Sequence, residues 1–255
     1  GLDSGIKKLS QLNMIIAIGL LLAVFLLGPT VFILNALIQN LGSYINNLFE
    51  SASWTEVYSD SSWQDGWTLF YYSWWFAWAP FVSLFIARIS YGRTIKEFII
   101  GVLFVPSIIV FLWMGIFGNA AIYQVINNSS DINQTVLDNM PIALFTLFDV
   151  YPLSQPLSVI SLLLIVTFFV TSSDSGSLVA SMLSSKKQIG INDDSPLISR
   201  VTWAILLGVV AAMLMFAGGL TALQTSVVIT GVPFAIIIAF AFVEFYRSLK
   251  EETKS

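Results

Sequence analysis

The chain has no cysteine and no histidine in 255 residues. Without cysteine there is no disulfide and no thiolate chemistry. Without histidine there is no imidazole base or ligand, which removes most zinc sites and the commonest acid–base catalyst. Charge is scarce too: 10% of residues are Asp, Glu, Lys or Arg, against about 25% in an ordinary soluble domain. No apolar block contains a pair of carboxylates, so paired-carboxylate catalysis has no seat. These absences speak against an enzyme. What fills the chain is apolar: 56% hydrophobic residues and a mean hydropathy of +0.83.

The apolar residues come in long blocks separated by polar connectors, the pattern of transmembrane helices. Barrel strands alternate apolar and polar over about ten residues, and these blocks do not. The sequence predicts an all-α polytopic membrane protein with six transmembrane helices, at about 14–38, 67–87, 98–117, 157–183, 201–217 and 223–245. Each is close to the ~20 residues that cross ~30 Å of hydrocarbon. Gly28-Pro29 predicts a kink in the first, and the polar run Thr171–Ser177 interrupts the fourth. The first block is about twice the length of a signal-peptide core. The chain begins without methionine, at GLDSGIKKLS, and is expected to be a piece of something longer.

Charge placement tests the count. The basic residues are Lys7, Lys8, Arg88, Arg93, Lys96, Lys186, Lys187, Arg200, Arg247, Lys250 and Lys254. With six spans and an inside N-terminus, all of them fall on the cytoplasmic face. The other face carries Glu50, Glu56, Asp60, Asp65, Asp131, Asp138 and Asp149. This is the positive-inside rule. It predicts a multi-pass protein with both ends of the chain cytoplasmic. Net charge of −4 decides nothing, because position outweighs sum.

The connectors add detail. LIQNLGSYINNLF has apolar residues at roughly helical spacing and predicts an interfacial helix at about 39–51. Trp54, Trp63 and Trp67 suit the headgroup region. PIALFTLFDVYPLSQPL reads as a short re-entrant or capping helix, and 184–199 as a solvated loop. Asn127-Asn128-Ser129 fits a glycosylation pattern too short to carry weight.

Two groups could carry chemistry. In WTLFYYSWWFAWAPFVSLFIAR, Tyr71, Trp74, Trp75, Trp78, Phe81 and Phe85 fall in one helical stripe roughly 120° wide. Interface anchoring and plain aromatic packing are the bland readings. Yet Trp74, Trp75 and Trp78 begin inside the span, whereas anchors belong at its ends. A row of π faces can hold a quaternary ammonium, each face contributing ~0.5–2 kcal/mol once water is excluded. In the fourth span, Phe168, Thr171 and Ser172 stand at i, i+3 and i+4. Two hydroxyls and a carbonyl on one face could ligate a small hard cation such as Na⁺; alternatively the hydroxyls bond back to their own helix. Asp174 reads as an anchor for the end of that span. Glu244 is placed to pair with Arg247. Gly92, in the basic turn with Arg88, Arg93 and Lys96, is placed for a left-handed residue.

YYSWWFAWAPFVSLFIARISYGRTIKEF resembles the signature of the betaine/carnitine/choline transporter family, W-W-x-x-W-x-P-F-V followed by A-R-I-S-x-G-R-T-I-x-E-F. The likeness continues through GIKKLSQLNM, GPTVFILN, FGNAA, FFVTSSDSGSLV and ALQTSVVITGVPF. It covers essentially the whole chain, but only the C-terminal half of such a protein. The resemblance implies spans seven to twelve of a twelve-span transporter with a leucine-transporter-type core of inverted repeats, 1–255 being part of a single domain. Trp75 would be the cage residue of the central site, with Trp74 and Trp78 lining the site and the path. Phe85 would be a cytoplasmic gate. Phe168, Thr171 and Ser172 would match the family's Na⁺ site, and Phe81 a second Na⁺. Sodium-independent antiporters carry an arginine where this chain has Asn13-Met14, which implies Na⁺ coupling. Tyr91 replaces a frequent arginine of the basic turn.

The expected function is import of glycine betaine or a similar solute by alternating access, with Na⁺ as coupling ion and no other cofactor. The expected partners are the solute, Na⁺ and the bilayer, with a homotrimer at full length and no nucleic acid. A Na⁺-independent carnitine-type exchanger and a proton-coupled choline importer remain open within the family. A channel or osmosensor is the alternative of another class, but no span carries the polar stripe of a pore lining.

Overall fold

The computed structural model describes residues 2–59, 61–128, 130–185 and 195–252. Lys186, Lys187, Lys254, Asp60 and Ser129 lie outside them, as does most of the predicted loop at 184–199. Helices alone are present among the described residues: α1 (Leu2–Leu27), α2 (Thr30–Asn46), α3 (Leu48–Ser53), α4 (Phe70–Ile89), α5 (Ile95–Ile99), α6 (Val105–Ile126), α7 (Ile132–Asn139), α8 (Ala143–Phe148), α9 (Ser154–Ser184) and α10 (Leu197–Glu252). π-helical turns at Gln64–Leu69 and Ile100–Phe104 lead into α4 and α6. The chain is an all-α membrane protein by composition and length. Among the described residues, five helical stretches are long and apolar enough to cross a bilayer: Lys7–Leu27, Gln64–Ala87, Ile95–Ile126, Ser154–Ser184 and Leu197–Glu251.

Six separate spans were expected, and the difference has a local cause. The last two predicted spans both fall within the 56 residues of α10. The run is broken at Gly218 and Gly219, the latter at φ 62° and ψ −141°. Only glycine takes that conformation without strain.

The first predicted span divides at Gly28-Pro29. Pro29 has no N–H for the carbonyl of Phe25, and the Thr30 hydroxyl donates to that carbonyl instead at 2.7 Å. A side chain thus satisfies the backbone group that proline orphans. A Cβ on Gly28 would sit 2.6 Å from the Val24 carbonyl oxygen and 2.9 Å from the Tyr151 hydroxyl. Helix α2 then continues through residues 39–46 without interruption.

The chain forms two compact units, Gly1–Ser53 with Arg93–Ser172, and Trp54–Gly92 with Ser173–Ser255. In the first, α1, α2 and α6 pack together with α7 and α8. Its core holds Leu20, Val24, Ile33, Ile116, Ala120, Leu147, Phe148, Leu157 and Leu164. Asn40 donates to Asn119 at 3.3 Å, and Gln124 donates to the Leu147 carbonyl at 2.9 Å, tying α8 to α6.

In the second unit, α4 packs along the later part of α10. A Cβ on Gly231 would fall 2.7 Å from the Ser73 Cβ and carbonyl oxygen. Small residues let the backbones approach this closely. A cleft of about 410 Å³ opens farther up the same contact, lined by Ser62, Asp65, Gly66 and Phe70 opposite Thr221, Gln224, Thr225 and Val228. Residue numbers rise together on both sides, so α4 and this part of α10 run parallel. Asp174 pairs with Arg200 at 3.3 Å, and Trp203 donates to Ser184 at 2.8 Å. Glu244 pairs with Arg247 at 2.7 Å on the surface.

Candidate functional site

Ser73 fixes how α4 is turned. It is buried against Gly231 and lies ~140° around the helix from the middle of the aromatic stripe. The stripe therefore faces away from α10. Trp74, Trp75 and Trp78 are 46%, 60% and 40% exposed, while Phe81 and Phe85 are half-buried. The ring contacts of the three indoles are with neighbours on the same helix, Phe70, Tyr71 and Phe81 among them.

The rings make two sets. Trp75 and Trp78 meet edge to face, with centroids 5.3 Å apart and planes at 81°; Phe81 continues from Trp78 at 6.4 Å. Two indoles at right angles form two walls of a box. The second set is a ladder. Trp54 meets Trp63 at 5.2 Å, Trp63 stacks on Trp67 at 6.2 Å, Trp67 on Tyr71 at 5.9 Å and Tyr71 on Trp74 at 6.0 Å. The spacing 63, 67, 71, 74 puts these rings on one helical face. The π-helical turn Gln64–Leu69 carries that face beyond α4.

A carboxylate holds the far end of the ladder. Glu56 Oε1 accepts from the N–H groups of Ser61 at 3.2 Å and Trp63 at 3.3 Å, and from the Ser61 hydroxyl; Oε2 accepts from the Gln64 N–H at 2.9 Å. The Gln64 side chain returns a hydrogen bond to the Trp54 carbonyl. Glu56 and Ser62 both sit at positive φ, 59° and 54°. The Ser61 hydroxyl, then the Gln64 N–H, hold the Glu56 carboxyl below its ordinary range. Composition and periodicity did not flag this clasp, because it closes over a loop with no repeat.

The oxygen cluster on α9 belongs to the first unit, whereas the stripe belongs to the second. The Thr171 hydroxyl lies 3.0 Å from the Phe168 carbonyl oxygen and 3.2 Å from that of Thr167. The hydroxyl thus bonds back to its own helix, and in doing so stands next to the predicted carbonyl. Ser172 is exposed and Thr171 half-buried. These are neutral, closely spaced oxygens, a donor set that suits a weakly held monovalent cation. Asn13 is 1% exposed, and neither of its amide atoms has a hydrogen-bond partner among the described residues. An amide at the edge of an apolar run was the sequence signal for that burial. Gly92, at φ 81°, makes the basic turn. Thr94 and Glu97 then start α5 with a reciprocal cap.

The model of the betaine/carnitine/choline family transporters matches residues 1–254. A glycine betaine transporter of Acinetobacter baylyi is 43% identical over 93% of this chain and 36% of its own length. A glycine betaine/proline/choline transporter of Vibrio parahaemolyticus is 42% identical over 100% of this chain and 45% of its own. A high-affinity choline transport protein of Escherichia coli K12 is 38% identical over 99% of this chain and 37% of its own. The chain therefore spans less than half the length of these curated relatives.

Proposed function

Because the chain belongs to the betaine/carnitine/choline family of transporters, we propose that the full-length protein imports glycine betaine or a related trimethylammonium solute by alternating access. The family is one of transporters, not enzymes. The carrying observation is the perpendicular Trp75–Trp78 pair on an uncovered helix face. A trimethylammonium group offers only polarised C–H surface and a spread charge, which π faces match without a buried carboxylate. Trp75 is the cage residue, Trp74 and Trp78 line the site and path, and Phe85 is the gate. The remaining walls come from the part of the protein outside this chain, which is the C-terminal half of one transporter domain.

Na⁺ is the coupling ion in this reading, held by the Phe168 carbonyl and the Thr171 and Ser172 hydroxyls. The neutral, buried Asn13 supports it. Phe81 faces a second Na⁺. Six crossings are supported by the break at Gly219 and by the parallel packing of α4 and late α10: in a six-span path, the second and sixth spans run the same way. A leucine-transporter-type core, cytoplasmic ends and a plasma-membrane location complete the proposal. Exposed Ile38, Tyr44, Ile45 and Phe49 supply an apolar surface for a homotrimer.

The test is uptake by the full-length protein in proteoliposomes. Trp75→Ala should raise the KM for glycine betaine about threefold to thirtyfold. Unchanged KM sinks the cage assignment. Replacing Na⁺ with K⁺ should abolish uptake; full activity in K⁺ would instead establish a Na⁺-independent exchanger or proton-coupled importer.

A further inference from the structure

We propose that Glu56 is a positioning residue for substrate capture, setting the outer end of the aromatic ladder so that its rings present one continuous route to the cage. The proposal rests on the reading that the stripe lines the path of a cation. Three observations carry it.

First, Glu56 is bound to the ladder rather than merely near it. Its carboxylate accepts from the backbone N–H groups of Trp63 and Gln64. Gln64 in turn holds the Trp54 carbonyl. The backbone that carries the first two rings is thus tied to one anion, at Trp63 directly and at Trp54 through Gln64. Second, the loop it closes contains two non-glycine residues in the left-handed region, Glu56 and Ser62. Such conformations persist only where surrounding contacts over-determine them, and they gather at functional segments. Third, the ladder centroids are spaced 5.2–6.2 Å apart from Trp54 to Tyr71. A cation interacts with a ring within about 6 Å of its centroid. A cation leaving one ring is therefore already within reach of the next. Each ring from Trp54 to Trp74 keeps 37–50% of its surface uncovered, so the route is open along its length.

Glu56 contributes no contact to the cage pair, and its removal should loosen only Trp54 and Trp63. Capture then weakens while turnover from the filled cage does not. Initial rates of labelled glycine betaine uptake by the full-length protein in proteoliposomes test this, with Glu56→Ala, Trp63→Ala and the double variant. Glu56→Ala and Trp63→Ala should each raise KM about threefold to fivefold, with kcat within about twofold of the parent. In the double variant KM should rise by less than the product of the single effects, because Glu56 acts in part through Trp63.

An unchanged KM in folded Glu56→Ala protein overturns the proposal. So does a fall in kcat at constant KM, which marks a fold staple, or effects that multiply in the double variant. If Glu56→Ala does not elute as folded protein, Glu56→Met is read by the same criteria, since it keeps the side-chain length but removes the oxygen acceptors. Trp75→Ala is measured in parallel. If it also leaves uptake unchanged, the cage reading has failed; if it impairs uptake while Glu56 variants are silent, only the positioning role has.

Discussion

Replacing Gly231 with alanine tests the packing that aims the stripe. The added methyl would sit 2.7 Å from the Ser73 Cβ and carbonyl oxygen and 2.8 Å from its Cα, whereas ordinary contact begins at 3.4 Å. Two of these three atoms are backbone, so no rotamer change relieves the clash. The helices must separate by about 0.7 Å or more, or turn about their axes. Overpacking of this kind costs about 1–3 kcal/mol. For a protein of this size or larger that is roughly 2–12 °C in Tm. Separation also swings the far face of α4, where Trp75 and Trp78 stand, so KM should rise with the loss of Tm. Gly231→Val should be worse, and Gly231→Ala with Ser73→Gly should recover part of the loss. Melting followed by size-exclusion chromatography in detergent measures stability, and proteoliposome uptake measures KM. Wild-type Tm and uptake for both Gly231→Ala and Gly231→Val would refute the close approach, and with it the stated direction of the stripe.

Thr171→Val with Ser172→Ala should raise the Na⁺ concentration for half-maximal uptake at least tenfold, because two oxygens are lost while the helix is kept; Na⁺ titration of uptake reads this. Gly219→Ala should cost about 1–2 kcal/mol from its positive φ alone, seen as a lower Tm, whereas Gly218→Ala, in extended backbone, should cost less. Glu56 has a depressed carboxyl pKa in the folded loop. Its contribution is therefore present above the unfolded value of about 4.3 and fades as pH falls through the lower folded value. Glu56→Gln should flatten the acid limb of loop protection in hydrogen exchange, and an unaltered limb would assign the acid sensitivity to another group.

How far the residues could be read in advance varied with the range of the interaction. Hydropathy and the 3.6-residue period are local, so the spans, the one-sided stripe and the Gly28-Pro29 break were legible in the chain. Glu244 with Arg247, at i+3, was legible for the same reason. The count of six was not settled in this way, because α10 remains helical except at two glycines, and hydropathy does not register φ. The Glu56 clasp escaped because its donors lie five to eight residues away with no period.

By itself the sequence determined the class: an all-α membrane chain, cysteine- and histidine-free, with aromatic rings and hydroxyls as its only distinctive chemistry inside the spans. Composition and short-range periodicity suffice for that. Tertiary structure decided how those groups are placed. Burial of Ser73 against Gly231 turned the indoles away from their neighbour and left them open. Ring planes came to 81° at Trp75 and Trp78 through rotamers that no sequence pattern encodes. Thr30 was recruited to the carbonyl that Pro29 orphaned because an unpaired buried polar group is costly. Chain periodicity says which residues share a face; only packing says what that face meets.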